Sequence, residues 1–439
     1  MYSLISRLLV YKDIDKDSLV LRLAKKIREC EDLSKDKDFN LNKIHIISDI
    51  NTVINELLEL ATIYGFDENL WHNYLTYLII NQENPFSLLC ESSGVKEGTV
   101  NDLVKEDFII FKKLFDYDFG PLEKSLSIKV FTHITNYKAI KKDSRLYNKD
   151  ISQKIRGLSK EIDKAKDENE IFDKVTDFYK KYGVGKLGLN KAFRISKIGE
   201  RNEIEPITNT QEVSLSDLIG YESQKQKIYN NTKAFVEGKK ANNVLLYGDS
   251  GTGKSTTIKA IVNEFYGNGL RMIEVYKHQF KDLIWLTSQI KNRNYKFIIY
   301  MDDLSFEEFE IEYKYLKAII EGGLEIKPDN VLVYATSNRR HIIRETWSDR
   351  TDMDKDGEIH RSDTMQEKLS LVDRFGLTIN FSAPSNKDYQ EIVKGIAKAQ
   401  GIQLPQEELL SAASRWELLH GGKSGRTAQQ FIDYISSLE

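Results

Sequence analysis

Two periodicities divide the chain. From residue 18 to about residue 182 the apolar positions fall at helical spacing: Leu19, Leu21, Leu23 and Ile27, then Ile50, Val53, Ile54, Leu57, Leu58 and Leu60. Such spacing lines one face of a helix. This stretch holds two prolines, Pro85 and Pro121, and few glycines, so residues 1–182 read as an all-helical N-terminal domain with charged outer faces. Residues 183–216 break the pattern. Gly183, Gly185 and Gly188 precede an extended-looking 189–195 and a polar run ending near Pro206, which reads as a linker packing partly on the C-terminal half of the chain.

From Leu218 onward, short β-type runs alternate with amphipathic helices, the signature of a parallel sheet with crossovers. The predicted strands are 244–247, 271–276, 297–301, 331–335 and 377–381. Helices are predicted at 254–266, 279–291, 306–321 and 364–374. After Pro384 the β signal ends, and helical stretches remain at 387–399, 406–419 and 426–438. The expected plan is an α/β subdomain at 217–383, with a five-stranded parallel sheet, followed by a helical lid at 384–439.

Composition narrows the classes. A length of 439 residues allows two or three domains. Charged residues make up 30% with a net charge of only −3, which argues against coating nucleic acid through bulk charge and leaves a local basic patch open. Cys30 and Cys90 are the two cysteines, so neither a disulfide framework nor a CxxC metal knuckle is expected. The apolar N-terminus, Met1 to Val10, lacks the basic start and cleavage site of an export signal. No apolar run reaches the length of a membrane helix. A soluble cytoplasmic protein is the expectation.

The sharpest chemistry is Gly248-Asp249-Ser250-Gly251-Thr252-Gly253-Lys254-Ser255, which fits GxxxxGK[ST] in full. An apolar strand (Val244, Leu245, Leu246) enters it, and an amphipathic helix (Ile258, Ile261, Val262) leaves it. Its glycines let backbone N–H groups turn inward around phosphate oxygens, and the helix N-terminus adds partial positive charge. Residues Gly248 through Lys254, with Ser255 and Thr256, are therefore the expected phosphate site. Lys254 would reach the β- and γ-phosphates, and the Ser255 hydroxyl would ligate Mg²⁺. Gly183-Val184-Gly185-Lys186 and Gly421-Gly422-Lys423-Ser424 share its letters but lack the eight-residue frame and a preceding strand.

Three further segments complete a site. Phe297-Ile298-Ile299-Tyr300-Met301-Asp302-Asp303 is an apolar strand ending in two carboxylates. Ligands of parallel sheets sit beyond the carboxyl ends of the strands. Asp302 is thus expected to hold Mg²⁺ through water, and Asp303 to polarise an attacking water. Val331-Leu332-Val333-Tyr334-Ala335-Thr336-Ser337-Asn338 ends in a polar triplet that offers Asn338 to the water or the γ-phosphate. Leu371-Val372-Asp373-Arg374-Phe375-Gly376 places an arginine at a helix end just before the last strand.

Taken in order, these motifs and the trailing helices resemble the AAA+ ATPases. The resemblance implies an α/β P-loop AAA+ module with a helical lid, preceded by the helical N-terminal domain. It makes Asp302 and Asp303 the second Walker motif and Asn338 sensor 1. Arg374 becomes the finger reaching a neighbouring subunit's nucleotide, with Arg350 and Arg361 as competitors. The usual Asp-Glu is Asp-Asp here, as in the bacterial replication-initiator branch. Asp303 is one methylene shorter than Glu, which puts fast hydrolysis in more doubt than binding. Arg426, at the start of the last helix, stands where sensor 2 arginines lie, able to contact the γ-phosphate and couple the lid to hydrolysis. At the front edge, Ile219 and Gly220 are implied to pack against adenine.

Several strings, among them Asp217-Leu218-Ile219-Gly220-Tyr221-Glu222, Asp302-Asp303-Leu304-Ser305-Phe306-Glu307 and Leu369-Ser370-Leu371-Val372-Asp373-Arg374-Phe375-Gly376, are similar to an uncharacterised bacterial family of predicted AAA+ ATPases, from about Ala192 onward. The implied cofactors are ATP and Mg²⁺. The implied partners are ATP or ADP, further copies of this chain (a hexamer among the options) and a protein chosen by the N-terminal domain, with no membrane. The leading function is an oligomeric ATPase that remodels a partner macromolecule. Its alternatives are a DNA-associated loader or initiator-like ATPase, and a nucleotide-gated scaffold with little turnover. The loader draws on the Asp-Asp variant and on the basic run from Lys138 to Lys160, although no DNA-reading motif is present and a solvated helix face is the favoured reading of the run. Asp352-Met353-Asp354-Lys355-Asp356-Gly357-Glu358-Ile359, with Asp363 at the twelfth position, fits the start of a calcium loop, though a solvated acidic loop inside the module is preferred.

Overall fold

A computed structural model describes residues 1–12, 18–33, 39–94, 97–140, 149–208, 210–305, 312–321, 328–338 and 372–438. They form two compact units, Met1–Asn190 and Lys191–Glu439. The first is helical: α1 (Tyr2–Ile5), α2 (Leu19–Leu33), α3 (Phe39–Tyr64), α4 (Leu70–Asn81), α5 (Pro85–Ser93), α6 (Thr99–Phe115), α7 (Gly120–Leu126), α8 (Val130–Thr135), α9 (Lys149–Lys164), α10 (Glu168–Tyr182) and α11 (Gly185–Leu189). Local chemistry starts several of them. Asn69 accepts the His72 N–H, Asn84 and Ser87 form a reciprocal cap with Pro85 at the first turn, and Asp167 accepts from Asn169 and Glu170. The buried core is rich in aromatics, including Phe66, Phe108, Phe111 and Phe131. One buried carboxylate, Asp107, accepts the backbone N–H groups of Leu9, Val10 and Tyr11 at 2.8–2.9 Å, which fastens the N-terminal segment to α6.

Part of the basic run is already matched by carboxylates. Arg156 and Lys160 on α9 meet Glu68 at 3.3 and 2.9 Å, and Arg156 lies 3.7 Å from Asp67. The Lys154 ammonium sits over the Tyr182 ring. These contacts favour a solvated, paired helix face over a polyanion surface. Residues 141–148 of the run lie outside the described residues.

The second unit is built on a sheet of seven strands: β1 (Ala192–Ile198), β2 (Arg201–Pro206), β3 (Val244–Gly248), β4 (Leu270–Glu274), β5 (Lys296–Met301), β6 (Val331–Ser337) and β7 (Leu377–Phe381). Their order is β2-β1-β4-β5-β6-β3-β7. The five expected strands are parallel. They are joined by an unexpected ribbon in which β1 pairs parallel to β4 and antiparallel to β2. The sheet is therefore larger than the five strands read from sequence. The interval read as a linker carries α11 and this ribbon, because Ala192, Phe193 and Ile195 bury against the sheet while β2 stays half exposed.

Helices cover the sheet: α12 (Glu222–Val236), which the sequence reading did not anticipate, α13 (Lys254–Phe265), α14 (Leu283–Ile290) and α15 (Tyr313–Glu321). A 3-10 turn over Lys277–Asp282 replaces the start of the helix expected from residue 279. The lid is α16 (Asn386–Gln400), α17 (Gln406–Leu419) and α18 (Gly425–Ser436), packed around Tyr389, Ile392, Val393, Leu409, Phe431 and Ile432. Most of the expected helix 364–374, the calcium-like loop at 352–363, Arg350 and Arg361 lie outside the described residues. Among the described residues no helix is long and apolar enough to cross a membrane. For the site, the decisive feature of the sheet is that β6 lies between β3 and β5, so the phosphate-loop strand and the carboxylate strand flank the strand that carries Thr336 and leads to Asn338.

Candidate functional site

The loop after β3 begins with a close approach. Gly248 takes a φ of 132°, and a Cβ there would collide with the Phe381 carbonyl at the end of β7. Only glycine allows that packing. Asp249 then locks the neighbouring strand exit, accepting the Ala383 N–H at 2.6 Å while its own N–H donates to Phe381. Gly253 (φ 91°) opens α13 in the left-handed region. The chain turns sharply here because these glycines let it, and Lys254 and Ser255 arrive on the first turn of α13.

A continuous set of hydrogen bonds links the three strand ends. The Lys254 ammonium donates to the carbonyls of Gly248 (2.8 Å) and Asp249 (2.6 Å) and to Oδ1 of Asn338 (3.1 Å). The other end of that amide, Nδ2 of Asn338, donates to Oδ1 of Asp303 at 2.8 Å. Ser255 and Thr336 hydroxyls both donate to Oδ1 of Asp302, at 2.7 and 2.5 Å. Thr336 Oγ1 in turn accepts the Asp303 N–H at 2.9 Å. Asp303 itself has left-handed backbone, φ 50°, which Asp tolerates better than most side chains.

Electrostatics follow from this wiring. Burial alone would raise the Asp302 pKa, but the hydrogen bonds led by Thr336 and Ser255 outweigh it and hold the carboxyl below its ordinary range. Asp302 is thus kept ionised. Lys254 is shifted down, first by burial, with the carboxylates of Asp249, Asp303 and Asp302 pulling the other way and the Arg426 charge adding to the fall. A magnesium ion bound to a nucleotide needs only one or two protein oxygens beside phosphate and water. The Ser255 hydroxyl and the ionised Asp302 carboxylate, already in contact, fit that donor set. Among the described residues no cluster of three or more His, Cys, Asp or Glu side chains offers an all-protein metal cage.

The lid meets the loop directly. The Arg426 N–H donates to the Gly251 carbonyl at 3.2 Å, and Ser424 caps α18 by accepting the Thr427 N–H. Gly251 has φ 76°, and a Cβ there would lie 2.8 Å from Ser424 Oγ and 3.0 Å from Arg426 Cβ. Gly251→Ala is therefore expected to lower stability by about 1–2 kcal/mol through left-handed backbone alone, and to push α18 off the loop. Denaturant unfolding measures the first effect. Reduced protection of the α18 amides in hydrogen exchange measures the second, and unchanged protection would contradict the contact.

At the front edge Gly220 and Tyr221 are both left-handed, φ 84° and 58°. The Tyr221 ring stacks on Phe381 at 5.2 Å and its hydroxyl donates to the Ser382 carbonyl. Ile219 packs against the lid core, and Leu218 abuts Gly253 of the loop. A groove of about 460 Å³ is lined by Leu218, Ile219, Gly220 and α12 residues including Lys225, large enough for a heterocycle. The phosphate loop does not line this groove; Leu218 is the residue that adjoins both.

Arg374 stands apart from these groups. It precedes β7 at the N-terminal end of that strand, where Leu377 pairs with Val244, whereas Phe381 pairs with Gly248 at the loop end. At about 3.3 Å per strand residue the two ends of β7 are roughly 13 Å apart. The residues brought together are thus Lys254, Ser255, Asp302, Asp303, Asn338 and the backbone of Arg426, and Arg374 is not among them. Thr336, which the sequence reading passed over, is the hinge of the network. Its signal is its place as the first residue of the polar triplet Thr336-Ser337-Asn338, of which the sequence reading gives a role to Asn338 alone.

A sequence model of the family described as "Protein of unknown function (DUF815)" matches residues 189–438. Among curated proteins none matches the chain. Among solved structures the chain is similar to the RuvB Holliday junction branch migration motor of Thermotoga maritima, with 17% sequence identity and a TM-score of 0.35. That alignment covers 51% of this chain and 64% of the RuvB chain, so it spans less than two thirds of RuvB. A point mutant of the same protein gives 17% identity and a TM-score of 0.35 over the same shares.

Proposed function

The chain belongs to the DUF815 family, whose description assigns no chemistry, and from the residues of its P-loop AAA+ module we propose that it is an ATPase that binds Mg·ATP at the loop after β3. One observation carries the reading. The hydrogen-bonded path from Lys254 through Asn338 to Asp303, and from Ser255 through Asp302 to Thr336, gathers a phosphate-gripping cation, a metal-binding pair and a water-facing carboxylate. In this reading the metal, when bound, neutralises charge on the β- and γ-phosphates. Residues Gly248 through Thr256 wrap the phosphates, Ser255 and Asp302 hold the metal, and Asp303 takes the proton of the attacking water while Asn338 orients it. Ile219 and Gly220 flank the adenine, and Arg426 follows the γ-phosphate from the lid.

The direct test is Asp303→Asn in a phosphate-release assay. Nucleotide affinity is expected to persist while turnover falls roughly a hundredfold, the usual scale for a general base. Wild-type turnover no faster than that of Asp303→Asn would favour the nucleotide-gated scaffold, a reading supported by the short carboxylate at Asp303 and its engagement by Asn338. We further propose that the chain works as a homo-oligomer in which Arg374 completes a neighbour's site, and that the helical unit selects a protein partner for remodelling. Trapping Asp303→Asn with ATP and identifying what co-purifies tests that partner. The paired cations of α9 favour this over DNA loading, and turnover that rises steeply with DNA at low salt would reverse the preference.

A further inference from the structure

Thr336 grips three successive residues of the turn that follows β5. Its hydroxyl donates to Oδ1 of Asp302 at 2.5 Å and accepts the Asp303 N–H at 2.9 Å. Its main-chain carbonyl accepts the Leu304 N–H at 2.7 Å. Strand register makes this reach possible. β5 ends at Met301, paired with Ala335, while β6 runs on through Thr336 and Ser337, so the turn takes up positions of β6 that β5 does not reach. Thr336 is 2% exposed. A hydroxyl carries a single proton, and here it goes to Asp302.

The contacts constrain the two acids differently. Oδ1 of Asp302 also receives the Ser255 hydroxyl at 2.7 Å, so donors from α13 and β6 converge on one oxygen and fix where the carboxylate lies. Asp303 has its left-handed φ of 50°, a conformation that residues other than glycine keep only where their surroundings hold it. Thr336 holds the N–H on each side of the Asp303 Cα, that of Asp303 itself and that of Leu304. The carboxylate so directed meets Nδ2 of Asn338 at 2.8 Å. We infer that Thr336 is a positioning residue for both carboxylates, fixing Asp302 for the metal and Asp303 for the attacking water. This role rests on the ATPase reading above and adds to it the residue that sets its geometry.

Thr336→Val keeps the side-chain shape and the main-chain carbonyl but loses the hydroxyl, whereas Thr336→Ser keeps the hydroxyl. Hydrogen exchange resolved to single amides, on the nucleotide-free full chain, reads the hold directly. In Thr336→Val the Asp303 amide is expected to exchange roughly tenfold faster, the scale of one lost hydrogen bond, while the Leu304 amide keeps its protection. In steady-state turnover, the Mg²⁺ concentration for half-maximal rate should rise and kcat fall, each by about ten- to a hundredfold, as when a metal ligand loses the group that orients it. KM for ATP at saturating Mg²⁺ should stay near the wild-type value, and Thr336→Ser should restore exchange, Mg²⁺ requirement and kcat together. Equal acceleration of the Asp303 and Leu304 amides would mean general loosening and overturns the inference. So does a Thr336→Val chain with unchanged Asp303 protection, or with the wild-type Mg²⁺ requirement and kcat, or a Thr336→Ser chain as impaired as Thr336→Val. A wild-type chain that does not hydrolyse ATP sinks the ATPase reading instead, and the exchange comparison still decides whether Thr336 holds the turn.

Discussion

Lys254→Ala is expected to remove nucleoside triphosphate binding, lowering affinity at least a hundredfold. Lys254 is 6% exposed, and its ammonium donates to two loop carbonyls and to Asn338. Those carbonyls hold the ammonium inside the turn of the loop, where the proposed site puts the phosphate oxygens. Truncation loses the charged hydrogen bonds to phosphate, each worth about 1.5–3 kcal/mol, and two such losses convert to more than a hundredfold in Kd. It also removes a positive charge that interacts with the Asp249, Asp303 and Asp302 carboxylates, so phosphate charge would be repelled more strongly. Lys254→Arg should fail as well, because a planar fork cannot replace a point charge inside the loop. Titration with a fluorescent ATP analogue checks both variants, with far-UV circular dichroism to confirm that the helices persist. Wild-type affinity in Lys254→Ala would remove the basis of the proposed function.

The parts of the site that sequence alone exposes are those whose constraints are local. The left-handed turns at Gly248, Gly251 and Gly253 require glycine wherever the rest of the chain goes, so the octamer is readable without a fold. Asp302 is readable because an apolar run ending in carboxylates is a strand meeting solvent. The ribbon of β1 and β2 is different. Its partner β4 lies about 80 residues downstream, with Ala192 opposite Met272, and only three of its thirteen positions, Ala192, Phe193 and Ile195, are buried. Its pattern alone cannot distinguish it from a linker. The same holds for Thr336: every residue of β6 is buried, so a threonine there reads as core until the neighbouring strand supplies Asp302. The seating of α18 on Gly251 depends on a contact across some 175 residues of sequence, which no local pattern encodes.

Arg374 carries the second large expected effect, and its position explains why. The strand after it runs toward the phosphate loop, so Arg374 itself sits at the far end of β7, roughly 13 Å or more from where Phe381 meets Gly248. A guanidinium there cannot serve the phosphates of its own chain. Its use at a nucleotide requires a second copy of the chain to present it. Arg374→Ala is therefore expected to keep nucleotide affinity within about threefold, since no binding contact of the same chain is lost, and to reduce turnover about a thousandfold, the lower end for a trans-acting arginine. Complementation makes the expectation specific. Lys254→Ala and Arg374→Ala chains should each be inactive alone, yet a mixture should recover part of the wild-type rate, because a Lys254→Ala neighbour still offers an intact Arg374 to an Arg374→Ala chain that retains its phosphate loop. Two results would end the assignment: a monomeric wild-type chain turning over ATP at the full rate, or a mixture no more active than its components.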